Sequence, residues 1–167
     1  LLKAHALFEG KYGNKFYKLS LKSCQGGIEE KAVSVTAFLL YYNKVWYVAN
    51  EHGKKAFDDL ERHISEIYEA VKNSEGILAE LRDCSLPETN LDDEFIANSI
   101  RTLYTRFSNI LWPTGASKAL HLLVPKLFVM WDDSIRNGYG VGTDAESYLN
   151  FLRKAKKESV ELVKEYA

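Results

Sequence analysis

Lys118 and Asp132 are the residues of this chain whose types and spacing best suit covalent chemistry. The sequence predicts that each lies at the N-terminus of a helix, where the positive end of the helix dipole acts. This dipole, with apolar surroundings, would lower the pKa of the Lys118 amine and enlarge its neutral, nucleophilic fraction. Asp132, held as a carboxylate by its cap hydrogen bonds, would stabilise an oxocarbenium ion developing on a sugar. Together the two residues suit cleavage of an N-glycosidic bond.

Proline and glycine define the elements that must position this pair. One helix stops by Trp112, because a residue before proline disfavours the helical conformation. Thr114 and Gly115 then supply a tight turn, and a helix of about two turns begins near Ala116 and ends before Pro125. Lys118 falls in the first turn of that helix. A cation there opposes the dipole by about 0.3 to 1 kcal/mol, which is a mild indication of function.

The next helix is predicted from its cap and its end. Asp132 or Asp133 precedes Ser-Ile-Arg and is well suited to cap a helix, which Gly138 and Gly140 would end. The catalytic candidates therefore belong to two consecutive helices joined by an apolar connection.

This arrangement resembles the helix-hairpin-helix DNA glycosylases of the endonuclease III and 8-oxoguanine glycosylase kind, over about residues 111–140. It is also similar to an uncharacterised glycosylase-like family with a Ser-Lys-x-Leu-His, Pro, Phe, Trp-Asp pattern. The resemblance implies that Lys118 attacks the sugar of a flipped base, that Asp132 assists, and that backbone amides of the turn grip a DNA phosphate. The implied DNA-binding residues are Thr114, Gly115, Ala116 and Ser117.

The chain also departs from the family pattern. Thr114 and Ala116 occupy the two positions where the family turn usually has glycine, and Gly115 lies between them. The interval from Lys118 to Asp132 is 14 residues, shorter than in the family. The four-cysteine iron–sulfur loop of some members is absent, so no cofactor or metal is expected.

Several other side chains have two interpretations. The candidates for stacking on an extruded base are Trp112, Trp131 and Tyr139, with Tyr42 and Trp46 as further aromatic residues that core packing would equally explain. His121 suits either general acid–base catalysis or a hydrogen bond at the edge of the core. The basic cluster Arg153, Lys154, Lys156 and Lys157 suits either phosphate contact or a solvated helix end.

Helical periodicity dominates the rest of the chain and predicts one all-α domain over residues 1–167, with a helix-hairpin-helix-like segment at about 95–140. Alternation over residues 17–22 predicts a short strand. Two further helices are predicted from periodicity: one from Ile28 to about Asn43, and one over about Lys55–Lys72 with Phe57 on its apolar face. Two more are predicted from their caps: a helix capped by Asn90 that ends by Trp112, and a C-terminal helix that begins with a Thr143–Glu146 capping box.

Composition limits the classes of function. The chain has 167 residues, 22 Lys and Arg against 23 Asp and Glu, and a formal charge of −1, which excludes a broad electrostatic binder of nucleic acid. The charge is uneven: residues 1–31 and 101–167 each carry +3, and residues 32–100 carry −7. Any DNA contact must therefore use a local patch.

The cysteines and hydropathy bear on location. Cys24 and Cys84 lack the spacing of a metal site or a disulfide framework, and no apolar run is long enough for a membrane span. We expect an intracellular protein, cytoplasmic or in the nucleoid or nucleus, with DNA as partner and no membrane association.

The expected function is a DNA-repair-like glycosylase or lyase. The alternatives are a non-catalytic helical module that binds nucleic acid or protein, and a structural partner in a larger assembly.

Overall fold

A computed structural model describes residues 15–166, with side chains described up to residue 161; residues 1–14 and 167 of the predicted domain lie outside this range. The described range contains helices and no strand, which confirms the all-α prediction. Its nine helices are α1 Lys15–Ser23, α2 Ile28–Tyr42, α3 Lys44–Ala49, α4 Glu51–Asp58, α5 Leu60–Lys72, α6 Glu75–Leu81, α7 Glu94–Leu123, α8 Asp133–Tyr139 and α9 Ala145–Tyr166. None of the described helices is both long and apolar enough to cross a membrane.

The predicted strand at residues 17–22 is wrong, because these residues lie in α1. Two of the three alternating apolar residues, Tyr17 and Leu21, are four positions apart and pack against the core from one face of this helix, whereas Leu19 is 62% exposed. Ser20 is also buried, and its carbonyl oxygen accepts a hydrogen bond of 3.0 Å from the Ser34 hydroxyl of α2. Packing on α2 therefore selects the helix. The predicted helix from Ile28 is confirmed as α2.

The helix predicted over Lys55–Lys72 is divided in two at Asp59. Its backbone leaves the helical region, and its carboxylate accepts a hydrogen bond of 3.2 Å from the Arg62 N–H, so that Asp59 caps α5. The cap satisfies backbone donors that the start of α5 would otherwise leave free. Phe57, predicted on the buried face, is instead 56% exposed.

The long helix α7 contains a break at Trp112, where the sequence predicts a helix end. Its N-cap is Asp93, which accepts from the Ile96 N–H at 3.1 Å, whereas the predicted cap Asn90 accepts from Asp92 in the preceding turn. Beyond Trp112 the helix resumes at Pro113, since proline is well suited to a first helical position. Residues 113–116 are therefore helical, and the helix-hairpin-helix element with its tight turn is not confirmed.

Helices α8 and α9 begin with aspartate caps. Asp132 caps α8 as predicted, accepting from the Ile135 N–H at 2.8 Å, and Gly140 ends it in the left-handed conformation with φ of 61°. The cap of α9 is Asp144, which accepts from the Ser147 N–H at 2.9 Å, and not the predicted Thr143. The carbonyl oxygen of Thr143 accepts from the Tyr104 hydroxyl instead.

Helix α7 is the centre of the core, since α1, α2, α5, α6 and α9 all pack on it. The buried apolar side chains of the described residues form one cluster. Its bulkiest part is aromatic: the Tyr148 ring lies 4.6 Å from the Tyr104 ring and 4.8 Å from the Trp131 ring, measured between centroids. Residues of α7 are buried on both sides of the break, Leu103 and Phe107 before it and Ala119 and Leu120 after it, so both halves of the helix are anchored in the core.

Candidate functional site

Lys118 and Asp132 line the same cleft, of about 890 Å³. The end of α2 and the start of α3 form one side, and the break in α7 and the start of α8 form the other. Four aromatic residues, Tyr41, Tyr42, Trp46 and Trp112, also line it. A cleft of several hundred cubic ångströms with an apolar lining and a few polar groups is the usual form of a small-molecule site.

A serine fixes the lysine and the aspartate relative to each other. The Ser117 hydroxyl accepts a hydrogen bond of 3.1 Å from the Trp131 N–H and lies 3.2 Å from the Trp131 carbonyl oxygen. Lys118 and Asp132 are the residues that directly follow these two. These contacts bind the segment between α7 and α8 to α7 itself, beside the cleft.

The Lys118 amine is held at the carbonyl end of α2. Its Nζ donates to the Tyr42 carbonyl oxygen at 2.6 Å and lies 3.4 Å from Asn43 Oδ1. Burial lowers the pKa of Lys118 from the ordinary value of 10.5, and the charge of Asp132 opposes this shift. A larger neutral fraction than in an exposed lysine follows. Because α7 resumes at Pro113, Lys118 lies in the second turn, so burial, and not the predicted dipole at a first turn, causes the shift.

The charges lining the cleft are mixed. Three basic residues, Lys44, Lys118 and Arg136, line it together with Asp132 and Asp133. Arg136 is tied down, because it pairs with Asp133 and stacks on the Trp131 ring at 5.6 Å. The local balance is slightly positive although the whole chain carries −1.

Comparisons with protein-family models, with curated proteins and with solved structures find no match. Function is therefore inferred from the chemistry of the cleft.

Trp112 is placed at the cleft by an unusual backbone conformation. Its φ is 60° and its ψ 171°, a region that side chains rarely adopt. The indole is 42% exposed, and its ring centre lies 5.4 Å from that of His52. Of the three predicted stacking residues, Trp112 is the one that lines the cleft.

The other two predicted stacking residues lie elsewhere. Trp131 is 1% exposed, and its Nε1 donates to the Pro113 carbonyl oxygen at 3.0 Å, so its role is to join the connection to α7. The Tyr139 ring packs edge-on against Phe151 at 5.0 Å, away from the cleft lining. These two aromatic residues serve the core and its margin.

The residues predicted to grip a phosphate are mostly buried. Thr114 and Gly115 line the cleft, but Ala116 and Ser117 are 0% exposed. A Cβ on Gly115 would lie 3.0 Å from Leu111 Cβ and 3.5 Å from Asn43 Nδ2, so the absence of a side chain there permits close packing of α7 on the end of α2. These residues position the site, and the predicted phosphate grip by an exposed turn has no counterpart.

His121 lies at the edge of the core. Its Nδ1 donates to the Phe128 carbonyl oxygen at 2.7 Å, and its Nε2 therefore accepts from the Tyr17 hydroxyl at 2.7 Å. Burial lowers its pKa from 6.5. This favours the structural interpretation over acid–base catalysis, since both ring nitrogens already have partners.

The basic cluster near the C-terminus is largely occupied within the fold. Arg153 pairs with Asp92 at 2.9 Å, Lys154 donates to the Tyr139 carbonyl oxygen at 2.7 Å, and Lys156 donates to that of Thr89 at 2.6 Å. These contacts join α9 to neighbouring segments and explain the cluster without phosphate.

Residues not predicted for the site include Asn43 and Arg136, which line the cleft, and His52, which lies beside it. Asn43 carried one signal, since it follows an apolar helical pattern and asparagine commonly ends helices. Arg136 lines the cleft from α8, beside its partner Asp133, and His52 lies next to the cleft because its ring packs against that of Trp112, 60 positions further along the chain.

Proposed function

We propose that the protein cleaves the N-glycosidic bond of a base extruded from DNA, with Lys118 as nucleophile and Asp132 assisting. The observation that carries the proposal is that the Lys118 amine, whose pKa is lowered, and the Asp132 carboxylate line one aromatic cleft. An enzyme acting on a base must take it out of the duplex into such a pocket. The resemblance of residues 111–140 to DNA glycosylases supports the same chemistry.

The proposed reaction begins with the neutral Lys118 amine. Its lone pair forms an Nζ–C1′ bond as the bond from C1′ to the base breaks, and the bonding electrons leave with the base, which takes a proton from water. The Asp132 carboxylate stabilises positive charge on the sugar during this exchange. The new ammonium loses a proton, and opening of the sugar ring gives an imine that a hydride donor can reduce.

Borohydride trapping tests this proposal. Duplexes carrying 8-oxoguanine, uracil or an abasic site are incubated with the protein and borohydride, and released base is scored in parallel without it. We expect a covalent crosslink that Lys118→Ala abolishes and that Lys126→Ala, an exposed lysine three residues beyond the helix, retains. Absence of both a Lys118-dependent crosslink and base release on every substrate would exclude the glycosylase.

A second candidate function is a non-catalytic nucleic-acid- or protein-binding module. The bond of 2.6 Å from Lys118 Nζ to the Tyr42 carbonyl oxygen favours it, because an ammonium ion at a helix C-terminus is itself a stabilising structural contact. This function predicts that Lys118→Ala lowers stability and leaves binding, and the salt dependence of binding, almost unchanged. Titration of a labelled oligonucleotide at several salt concentrations separates the two functions.

A further inference from the structure

Trp112 is the only residue other than glycine with positive φ among the described residues. Its backbone conformation is essentially reserved for glycine, so an indole side chain there is held against an intrinsic preference. Such a conformation persists only where the surroundings enforce it.

The two neighbours of Trp112 provide that enforcement. Leu111 is 1% exposed and belongs to the core cluster. Pro113 on the other side has a fixed φ, and its carbonyl oxygen accepts from Trp131 Nε1 at 3.0 Å. The backbone is therefore held on both sides of Trp112, by burial of Leu111 and by the hydrogen bond from Trp131 to Pro113, and the Trp112 side chain lines the cleft.

The outcome is an aromatic platform set in place before any ligand binds. The indole is 42% exposed at the cleft that holds Lys118, and the His52 ring packs beside it at 5.4 Å. An aromatic ring that is ordered in advance loses little entropy when a planar ligand stacks on it. If Trp112 had no role at the cleft, there would be no need for a strained backbone to hold its side chain there.

We propose that Trp112 is the positioning residue on which the extruded base stacks while Lys118 attacks its sugar. The inference rests on the proposed function, since it takes the occupant of the cleft to be a nucleobase. Stacking recognises the flat face that every base has, so Trp112 retains the base without selecting among lesions. Removing it should weaken capture of a base and leave the chemistry at the sugar intact.

Two substrates separate capture from chemistry. A duplex with a damaged base needs stacking before attack, whereas a duplex with an abasic site offers Lys118 its sugar with no base to stack. We expect Trp112→Ala and Trp112→Gly to lower kcat/KM for base release by about 5- to 150-fold, the range given by loss of one base–aromatic stack. Both variants should trap on abasic DNA within about twofold of the unchanged protein, and Trp112→Phe should recover most of the base release. Equal losses on both substrates, or no loss on either, would overturn the assignment of Trp112.

Fluorescence gives a readout that does not depend on catalysis. Single-stranded oligonucleotides should quench the emission of the unchanged protein, and Trp112→Phe should reduce that quenching more than Trp46→Phe, because Trp112 is the more exposed of the two tryptophans that line the cleft and Trp131 is buried. If the quenching depends on Trp112 but the protein neither releases base nor is trapped on DNA, the glycosylase proposal is rejected and the stacking role of Trp112 stands. If the protein releases base, and neither the quenching nor kcat/KM changes in the Trp112 variants, the glycosylase proposal stands and the stacking role of Trp112 is rejected. Absence of quenching and of release would reject both.

Discussion

Ser117 and Trp131 are joined by hydrogen bonds at 3.1 and 3.2 Å, and this pairing sets the register of the site. The serine hydroxyl contacts both backbone groups of a residue 14 positions further along the chain. Each partner is followed directly by one member of the proposed catalytic pair, Lys118 or Asp132. A side chain that is itself buried thus determines that a helix residue and a helix cap open into the same cleft.

Ser117→Ala should therefore cost about 1–3 kcal/mol of unfolding free energy, because it leaves the buried Trp131 N–H without its acceptor. Urea unfolding measures the change. Ser108→Ala is the matched control: among the hydrogen bonds of the described residues, the Ser108 hydroxyl makes one, to the Thr105 carbonyl oxygen three residues before it in α7. The control should change the free energy by less than about 0.5 kcal/mol. Equal effects at the two positions would contradict the role given to Ser117.

The rate of base release should rise with pH and level off below the ordinary lysine value of 10.5, because the reactive form is the neutral amine and burial lowers the pKa of Lys118. Asp132→Asn should move the midpoint to lower pH while reducing the maximal rate, since the Asp132 charge raises this pKa. Asparagine retains the capping ability that aspartate has at this position. Single-turnover rates between pH 6 and 10 give the midpoint.

Asp133→Asn is the control for this pH profile. Asp133 is the next residue and also lines the cleft, but it pairs with Arg136 and is not a cause of the Lys118 shift. Its variant should leave the midpoint in place. An upward shift with Asp132→Asn, or the same shift with both variants, would contradict the proposed coupling between Asp132 and Lys118.

Trp112→Gly should be more stable than Trp112→Ala by about 1 kcal/mol, since both remove the indole but only glycine relieves the strain of positive φ. For a domain of this size that difference corresponds to about 2–4 °C in the unfolding temperature. Calorimetry on the two variants measures it. At Val33, an exposed position inside α2, the order should reverse, because alanine is the better residue within a helix. If alanine were the more stable residue at both positions, Trp112 would not be strained.

The protein should lose stability as the pH falls through 6.5. Burial lowers the pKa values of His63 and His121 in the folded state, so the unfolded chain takes up protons first. The slope is at most about 1.4 kcal/mol per pH unit for each histidine. Urea unfolding at pH 7.5, 6.5 and 5.5 should show a shallower decline for His121→Gln than for the unchanged protein.

Features that depend on near neighbours were predicted well from the sequence. The break at Trp112 follows from Pro113, and the Asp132 cap follows from a short polar side chain before a helical run. Errors arose where two residues close together could serve equally, as with Asn90 and Asp93 or Thr143 and Asp144. Such choices depend on which side chain the surrounding fold leaves free to turn back to the helix.

The sequence predicted that Lys118 and Asp132 belong to the site, but not the contacts that they make there. The types of Lys118 and Asp132 suggested their chemistry, but the partner of the Lys118 amine is a carbonyl oxygen 76 residues earlier in the chain. The burial of Ala116 and Ser117 likewise follows from the packing of α7 on its neighbours. Spacing along one segment carries no information about such contacts.

The sequence by itself determined an all-α chain, the helix break before Pro113 and the cap at Asp132, because caps, breaks and helical periodicity act over about four residues. The tertiary structure alone decided that Lys118 and Asp132 share a cleft, that Trp131 lies in the core, and that Trp112 faces outward. The physical reason is that burial and side-chain direction depend on which distant helices pack together. The burial of Leu111 in the core and the hydrogen bond from Trp131 to Pro113 hold the backbone on both sides of Trp112, whose side chain lines the cleft.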